Sequence, residues 1–251
     1  MTKYFSTDSI IMFVAFITIS VSSQTWAATV VTTDPTVVAT FQAGASVLGF
    51  DAIPPNGGGG SFGNTGKPIQ PESQLTDQFS NVGVIFSSTG GAVGVVGVEG
   101  LPNESDATSP FNLIGGSSPG TTLPVLNYFQ PITLQFVLPN TTTPALTTHV
   151  GAWNDPTGSR ILLSVFDVNG SLLESVQADE GFFVGIANPA IASATFSFIS
   201  TQSVSGFALD DVTIGSVSAV PVPAAVWLFG SALIGLIGMR KISSKVSRIT
   251  A

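Results

Sequence analysis

The chain reads as mainly β: an antiparallel β-sandwich, jelly-roll-like, with an N-terminal signal helix and a C-terminal transmembrane helix. Three observations carry that reading. Between residues 28 and 219, apolar side chains recur at every second position in short runs. Gly, Pro, Ser and Asn separate those runs, with few helix signatures between them. Each end of the 251-residue chain also carries an uncharged apolar run flanked by basic residues.

At the N-terminus, Lys3 precedes an apolar stretch from Ile10 to Ile19, and Thr25-Trp26-Ala27 ends in a small residue. A positive start, a short apolar core and a small cleavage residue form a secretory signal, so residues 1–27 are expected to be removed by signal peptidase. The run is too short to span a bilayer, which argues against a membrane anchor here.

Residues 28–219 are expected to form one ectodomain of about ten strands. Ile132, Leu134, Phe136 and Leu138 alternate with Thr133 and Gln135, and Phe196 and Phe198 with Thr195 and Ser197. Val82–Ser87 and Ala92–Val98 flank Ser88-Thr89-Gly90-Gly91, which predicts a hairpin. Asn169-Gly170 lies between Ile161–Val168 and Ser171–Gln177 and predicts a type I′ turn with both residues at positive φ. The first of those strands is apolar on both faces in places, so it is expected to lie centrally and covered. Residues 43–67, with four consecutive glycines, and residues 101–110 read as long loops. Many short strands with short connections suit a two-sheet sandwich, a closed barrel being the alternative.

The C-terminal run from Val222 to Met239 contains no charge and is followed by Arg240, Lys241, Lys245 and Arg248. Eighteen apolar residues at ~1.5 Å rise just suffice to cross a membrane. The basic residues after them are expected to stay cytoplasmic, leaving the body outside. A buried core helix would be expected to show a polar face. Just before and within this run, Val220-Pro221-Val222-Pro223-Ala224-Ala225-Val226-Trp227-Leu228-Phe229-Gly230-Ser231 is followed by Leu233-Ile234-Gly235-Leu236-Ile237-Gly238 and Arg240-Lys241. This ordered segment of about 22 residues resembles the PEP-CTERM sorting signal in its VPxPAAVWLFGS variant. It departs from the Pro-Glu-Pro form in lacking the glutamate, and its tail after Lys241 is longer than usual.

The resemblance implies a sorting unit over 220–251, with a transmembrane helix at 222–239 and a basic tail. Val220, Pro221, Val222, Pro223, Ala224, Ala225, Trp227, Phe229, Gly230, Ser231, Arg240 and Lys241 are the residues that match. It further implies recognition by an exosortase and transient anchoring in the inner membrane of a Gram-negative bacterium. The tail would then be removed and the body delivered to the cell surface or an exopolysaccharide matrix, in the setting of biofilms. A proline-rich stretch cannot continue a helix or pair as a central strand, so the entry to this segment is expected to be extended and accessible to a processing enzyme.

Composition narrows the function of the body. There are no cysteines, which excludes disulfides, thiolate metal sites and a cysteine nucleophile. Residues 28–219 hold fourteen carboxylates against two cations, Lys67 and Arg160, a net −12. Such a field repels nucleic acid and anionic lipid and tolerates or attracts divalent cations; plain solubility is the simpler explanation of it.

The Asp210-Asp211 pair is the first site candidate. Phe207 and Leu209 share one face and Val212 and Ile214 the other, so the apolar phase slips across the pair, as at a bulge. The strand and turn fragments, among them Leu48-Gly49-Phe50-Asp51 and Gly206-Phe207-Ala208-Leu209-Asp210-Asp211-Val212, resemble those of sandwich domains in tagged proteins of this kind. The arrangement also looks like jelly-roll carbohydrate-binding domains, which implies that Asp51, Asp210 and Asp211 could hold a structural Ca²⁺ through hard oxygen ligands; a solvated bulge is the alternative.

Other matches carry less. Gly116-Ser117-Ser118-Pro119-Gly120 fits the nucleophile-elbow pattern, but Pro119 follows the serine and no helix is expected after it. Gly58 to Gly63 matches a phosphate-loop pattern only through its glycine content. His149 is the sole histidine. Asp179-Glu180 and Glu104 with Asp106 are acid pairs in turn-like segments. Trp153 and Tyr128 could stack on sugar rings or pack in the core. The expectation is therefore a non-catalytic surface or matrix protein that binds polysaccharide. The alternatives are a secreted carboxylate-dependent hydrolase and a purely structural, self-associating matrix component.

Overall fold

The computed structural model describes residues 27–56, 66–97, 112–155, 158–199, 206–221, 228–229 and 231–232. Two antiparallel sheets dominate them. The larger runs, edge to edge, β1 (Ala28–Thr32), β13 (Phe183–Ile191), β10 (Ala145–Asn154), β15 (Leu209–Ile214), β6 (Asn112–Gly115), β5 (Val93–Gly97) and β3 (Gln74–Leu75). Two further strands join it, β2 (Ser46–Leu48) on β15 and β16 (Val217–Ala219) on β10. The smaller sheet runs β12 (Leu172–Ala178), β11 (Ile161–Phe166), β14 (Ser193–Phe198), β9 (Ile132–Phe136) and β4 (Val84–Ser88). A two-stranded ribbon pairs β7 (Ser117–Ser118) with β8 (Val125–Leu126).

The period-2 patterns place the core. Ile132, Leu134 and Phe136 of β9 are fully buried, and so are Ile161, Leu163 and Val165 of β11. The larger sheet answers with Val95, Ile114, Val150, Ala152, Val184, Ile186, Leu209, Val212 and Ile214, and both sets belong to one hydrophobic cluster. Each Val, Leu, Ile or Phe side chain among them contributes roughly 1.5–3 kcal/mol by leaving water, which ties the two sheets together.

Four strand pairs are nested in the sequence. β11 pairs with β12, β10 with β13, β9 with β14, and β6 with β15. Moving outward from the β11–β12 hairpin, successive pairs fall alternately in the smaller and the larger sheet.

Several sequence expectations change. Ser88 to Gly91 does not close a hairpin. β4 pairs with β9 in the smaller sheet and β5 with β6 in the larger, so this turn is a corner between sheets. Gly91 N–H closes it on Ser88 O at 2.8 Å, with Gly91 at φ 99. The Asn169-Gly170 hairpin forms, but only Gly170 is left-handed, at φ 76. Gly170 N–H bonds Asp167 O, and Asp167 Oδ1 accepts the Asn169 and Ser171 N–H groups, so the carboxylate holds a wider turn than type I′. Those bonds hold the Asp167 carboxyl below its ordinary pKa. β11 is flanked by strands on both edges, but only alternate residues are buried, Leu162 and Phe166 being half-exposed. β2 lies inside the stretch read as loop from residue 43 to 67. The residues read as a loop at 101–110 lie outside the described ones, as do residues 1–26 of the segment read as a secretory signal.

The helix α1 (Pro35–Phe41) was not foreseen. Asp34 caps it, Oδ1 accepting Thr36 N–H at 2.8 Å, and Pro35 sits where the missing N–H costs nothing. The helix lies on the outer face of the larger sheet. Its Phe41 ring contacts Phe183 and His149 edge-on, and Gln42 Nε2 donates to Thr213 Oγ1. Among the described residues no helix is long and apolar enough to cross a membrane. Leu228, Phe229, Ser231 and Ala232 are helical and exposed; the rest of the stretch 222–239, expected to span a membrane, lies outside the described residues.

Candidate functional site

The phase slip at Asp210-Asp211 is a β-bulge. Gly151 pairs with Thr213 and Trp153 with Asp210, so β15 advances three residues while β10 advances two. Asp211 takes the extra position at φ 46, a left-handed conformation that Asp tolerates better than most residues. Its N–H donates to Asp210 Oδ1 at 2.8 Å, and Asp210 is 1% exposed. Asp51 Oδ1 accepts Asn112 N–H at 3.0 Å, while Asn112 Nδ2 donates to Phe50 O and Ile53 O. Asp51 therefore staples the start of β6 to the turn after β2. Among the described residues no three His, Cys, Asp or Glu side chains converge as a metal-binding group.

Trp153 meets Phe183 edge-on at 5.7 Å and is half-buried on the outer face of the larger sheet. Tyr128 is buried at 2% exposure; desolvation, with the Asp155 carboxylate nearby, pushes its phenol well above the usual range. His149 packs against Phe41, its Nδ1 shares a hydrogen with Thr148 Oγ1, and burial lowers its pKa from 6.5. Asp179 pairs with Arg160 at 2.6 Å, both exposed, and its carbonyl accepts from the buried Asn154 amide. Ser118 lies in β7, opposite Val125, with no helix after it. Gly58 to Gly63, Glu104 and Asp106 lie outside the described residues. Of the residues read as a sorting signal, Val220 is half-buried directly after β16 and Pro221 is exposed. Ser231 Oγ donates to Leu228 O within the helical part. Val222, Pro223, Ala224, Ala225, Trp227, Gly230, Arg240 and Lys241 lie outside the described residues.

One concavity was not read from the sequence. A surface groove of about 430 Å³ opens between the turn preceding β4, which supplies Asp77 and Ser80, and the β9–β10 connection, which supplies Asn140 to Thr143; Ile85 of β4 completes it. Asn140 N–H donates to Ser80 O at 2.8 Å and joins the two walls. Asn140 is left-handed at φ 60. Leu138-Pro139-Asn140 is a recognisable turn signal, but nothing local says that Asp77 will face it.

No family model matches the chain, and no curated protein does. Among solved structures it is similar to the enzymatically active domain of tailspike protein 4 from bacteriophage CBA120, at 18% identity and a TM-score of 0.27. That match covers 59% of this chain and 22% of the other, so the chain spans about a fifth of the length of the structure it matches.

Proposed function

We propose that the chain is an exported, non-catalytic protein of the cell surface or extracellular matrix, sorted through its C-terminal segment and binding polysaccharide. The carrying observation is the ordered run Val220-Pro221-Val222-Pro223-Ala224-Ala225-Val226-Trp227-Leu228-Phe229-Gly230-Ser231, with the uncharged stretch to Met239 and the stop at Arg240-Lys241. An exosortase of a Gram-negative inner membrane is the partner this segment fits, after signal peptidase has acted at Ala27.

The body is a jelly-roll-like sandwich in this reading. Four nested strand pairs that alternate between two sheets support it, since that is the pattern of a β-ribbon rolled into two Greek keys. β16 supports the domain limit, because the last strand among the described residues ends at Ala219, one residue before the segment read as the sorting signal. Intact-mass measurement of the protein from its native host tests the sorting step. The expected mature form ends near Pro221–Pro223; a mass that retains Ala251 overturns the reading.

A further inference from the structure

The groove between the β9–β10 connection and the turn before β4 has the chemistry of a sugar site. Its volume, about 430 Å³, falls in the range of small-molecule sites, ~300–1,000 Å³. The lining offers one carboxylate (Asp77), one amide (Asn140), the hydroxyls of Ser80 and the three threonines, and a single apolar side chain, Ile85. Carboxylate, amide and hydroxyl groups can together accept from and donate to neighbouring hydroxyls of a polyol. No cation is among the described residues that line the groove and the body is strongly acidic, so an anionic ligand would meet repulsion without a counter-charge.

The walls are built before any ligand arrives. Leu138 N–H bonds Thr143 O at 2.9 Å, Thr141 N–H and Oγ1 both bond Leu138 O, and Thr143 N–H bonds Thr141 Oγ1. With the Asn140–Ser80 bond, these fix the loop, so binding would order little chain. Among the described residues the Asn140 side-chain amide takes no hydrogen bond within its loop, and Asp77 Oδ1 takes one bond, from Thr76 Oγ1. The groove also lies at the exit of the sorting segment, because Ala145, two residues after Thr143, pairs with Ala219.

We propose that this groove is a subsite for an uncharged saccharide unit, with Asp77 and Asn140 bonding adjacent ring hydroxyls and Ile85 facing the apolar ring C–H groups. It rests on the polysaccharide-binding reading and gives that reading a place. The test is an NMR titration of the full-length protein with neutral cello-, malto- and galacto-oligosaccharides, matched acidic uronate oligomers, and the host's own polysaccharide. At least one neutral glycan is expected to bind. Asp77→Ala with Asn140→Gly is expected to weaken it by about tenfold or more, since glycine keeps the left-handed turn. Acidic oligomers are expected to bind less well than neutral ones. A glycan that binds the double variant as well as the parent, with the fold unchanged by circular dichroism, overturns the subsite and spares the broader reading. Failure of every glycan overturns both.

Discussion

The seat of Phe41 on Gly185 makes a quantitative prediction. A Cβ added at Gly185 would lie 2.6, 2.8 and 3.0 Å from three Phe41 ring atoms, closer than carbon atoms pack. Gly185→Ala must therefore push the ring off the sheet. Overpacking of this kind costs about 1–3 kcal/mol, offset by roughly 0.5–1 kcal/mol because alanine loses less backbone entropy than glycine in a strand. A net loss near 1 kcal/mol is expected, about 2–4 °C in Tm for a domain of this size. Phe41→Ala removes a half-buried ring that touches Phe183 and His149, at roughly 2 kcal/mol, below the range for a fully buried phenylalanine. In the double variant the obstruction has gone, so Gly185→Ala should be neutral or slightly stabilising there. The coupling energy should reach about 1–2 kcal/mol. Urea denaturation of the four proteins measures it. Losses that add to within about 0.5 kcal/mol would refute the argument that the helix is positioned by this contact.

Two further predictions follow from buried polar groups. Asn112→Ala should destabilise by about 1–3 kcal/mol, because the Phe50 and Ile53 carbonyls lose the Asn112 amide that donates to both; denaturation reads the loss, and a change under about 0.5 kcal/mol would show that these carbonyls find other partners. Burial lowers the His149 pKa below 6.5 in the folded protein, so the unfolded chain binds the proton more readily. The stabilisation is present above pH 6.5 and is lost as pH falls through the folded pKa. His149→Gln should flatten the decline of Tm between about pH 7.5 and 5.5, where carboxylates contribute little; an unchanged slope would assign the decline to other groups.

Where the sequence spoke clearly, the information was local. β9 follows from strict alternation over five residues, and the bulge at Asp211 from a slip in that same alternation. The hairpin at Asp167 to Ser171 follows from its Asn-Gly step, although the carboxylate two residues earlier widened the turn. The corner at Ser88 to Gly91 looked the same locally and turned out otherwise, because a glycine turn does not record which sheet receives the next strand. α1 was hidden by its length: seven residues give too few repeats for a helical period, although Asp34-Pro35 is a legible start. The groove needed Asp77 and Asn140 to meet across more than 60 residues of chain, and no pattern within either segment encodes that meeting.

The nested pairing also sets an order of events for a chain that emerges N-terminus first from a ribosome. β1 waits for β13, Ala28 against Ala187, and β2 waits for β15, Ser46 against Ile214. The edge of the larger sheet and the central strand that joins its halves therefore depend on segments that arrive last. Contacts of such span are slow to form because loop closure precedes any gain from them. The sandwich consequently closes only after nearly all of its strands have emerged.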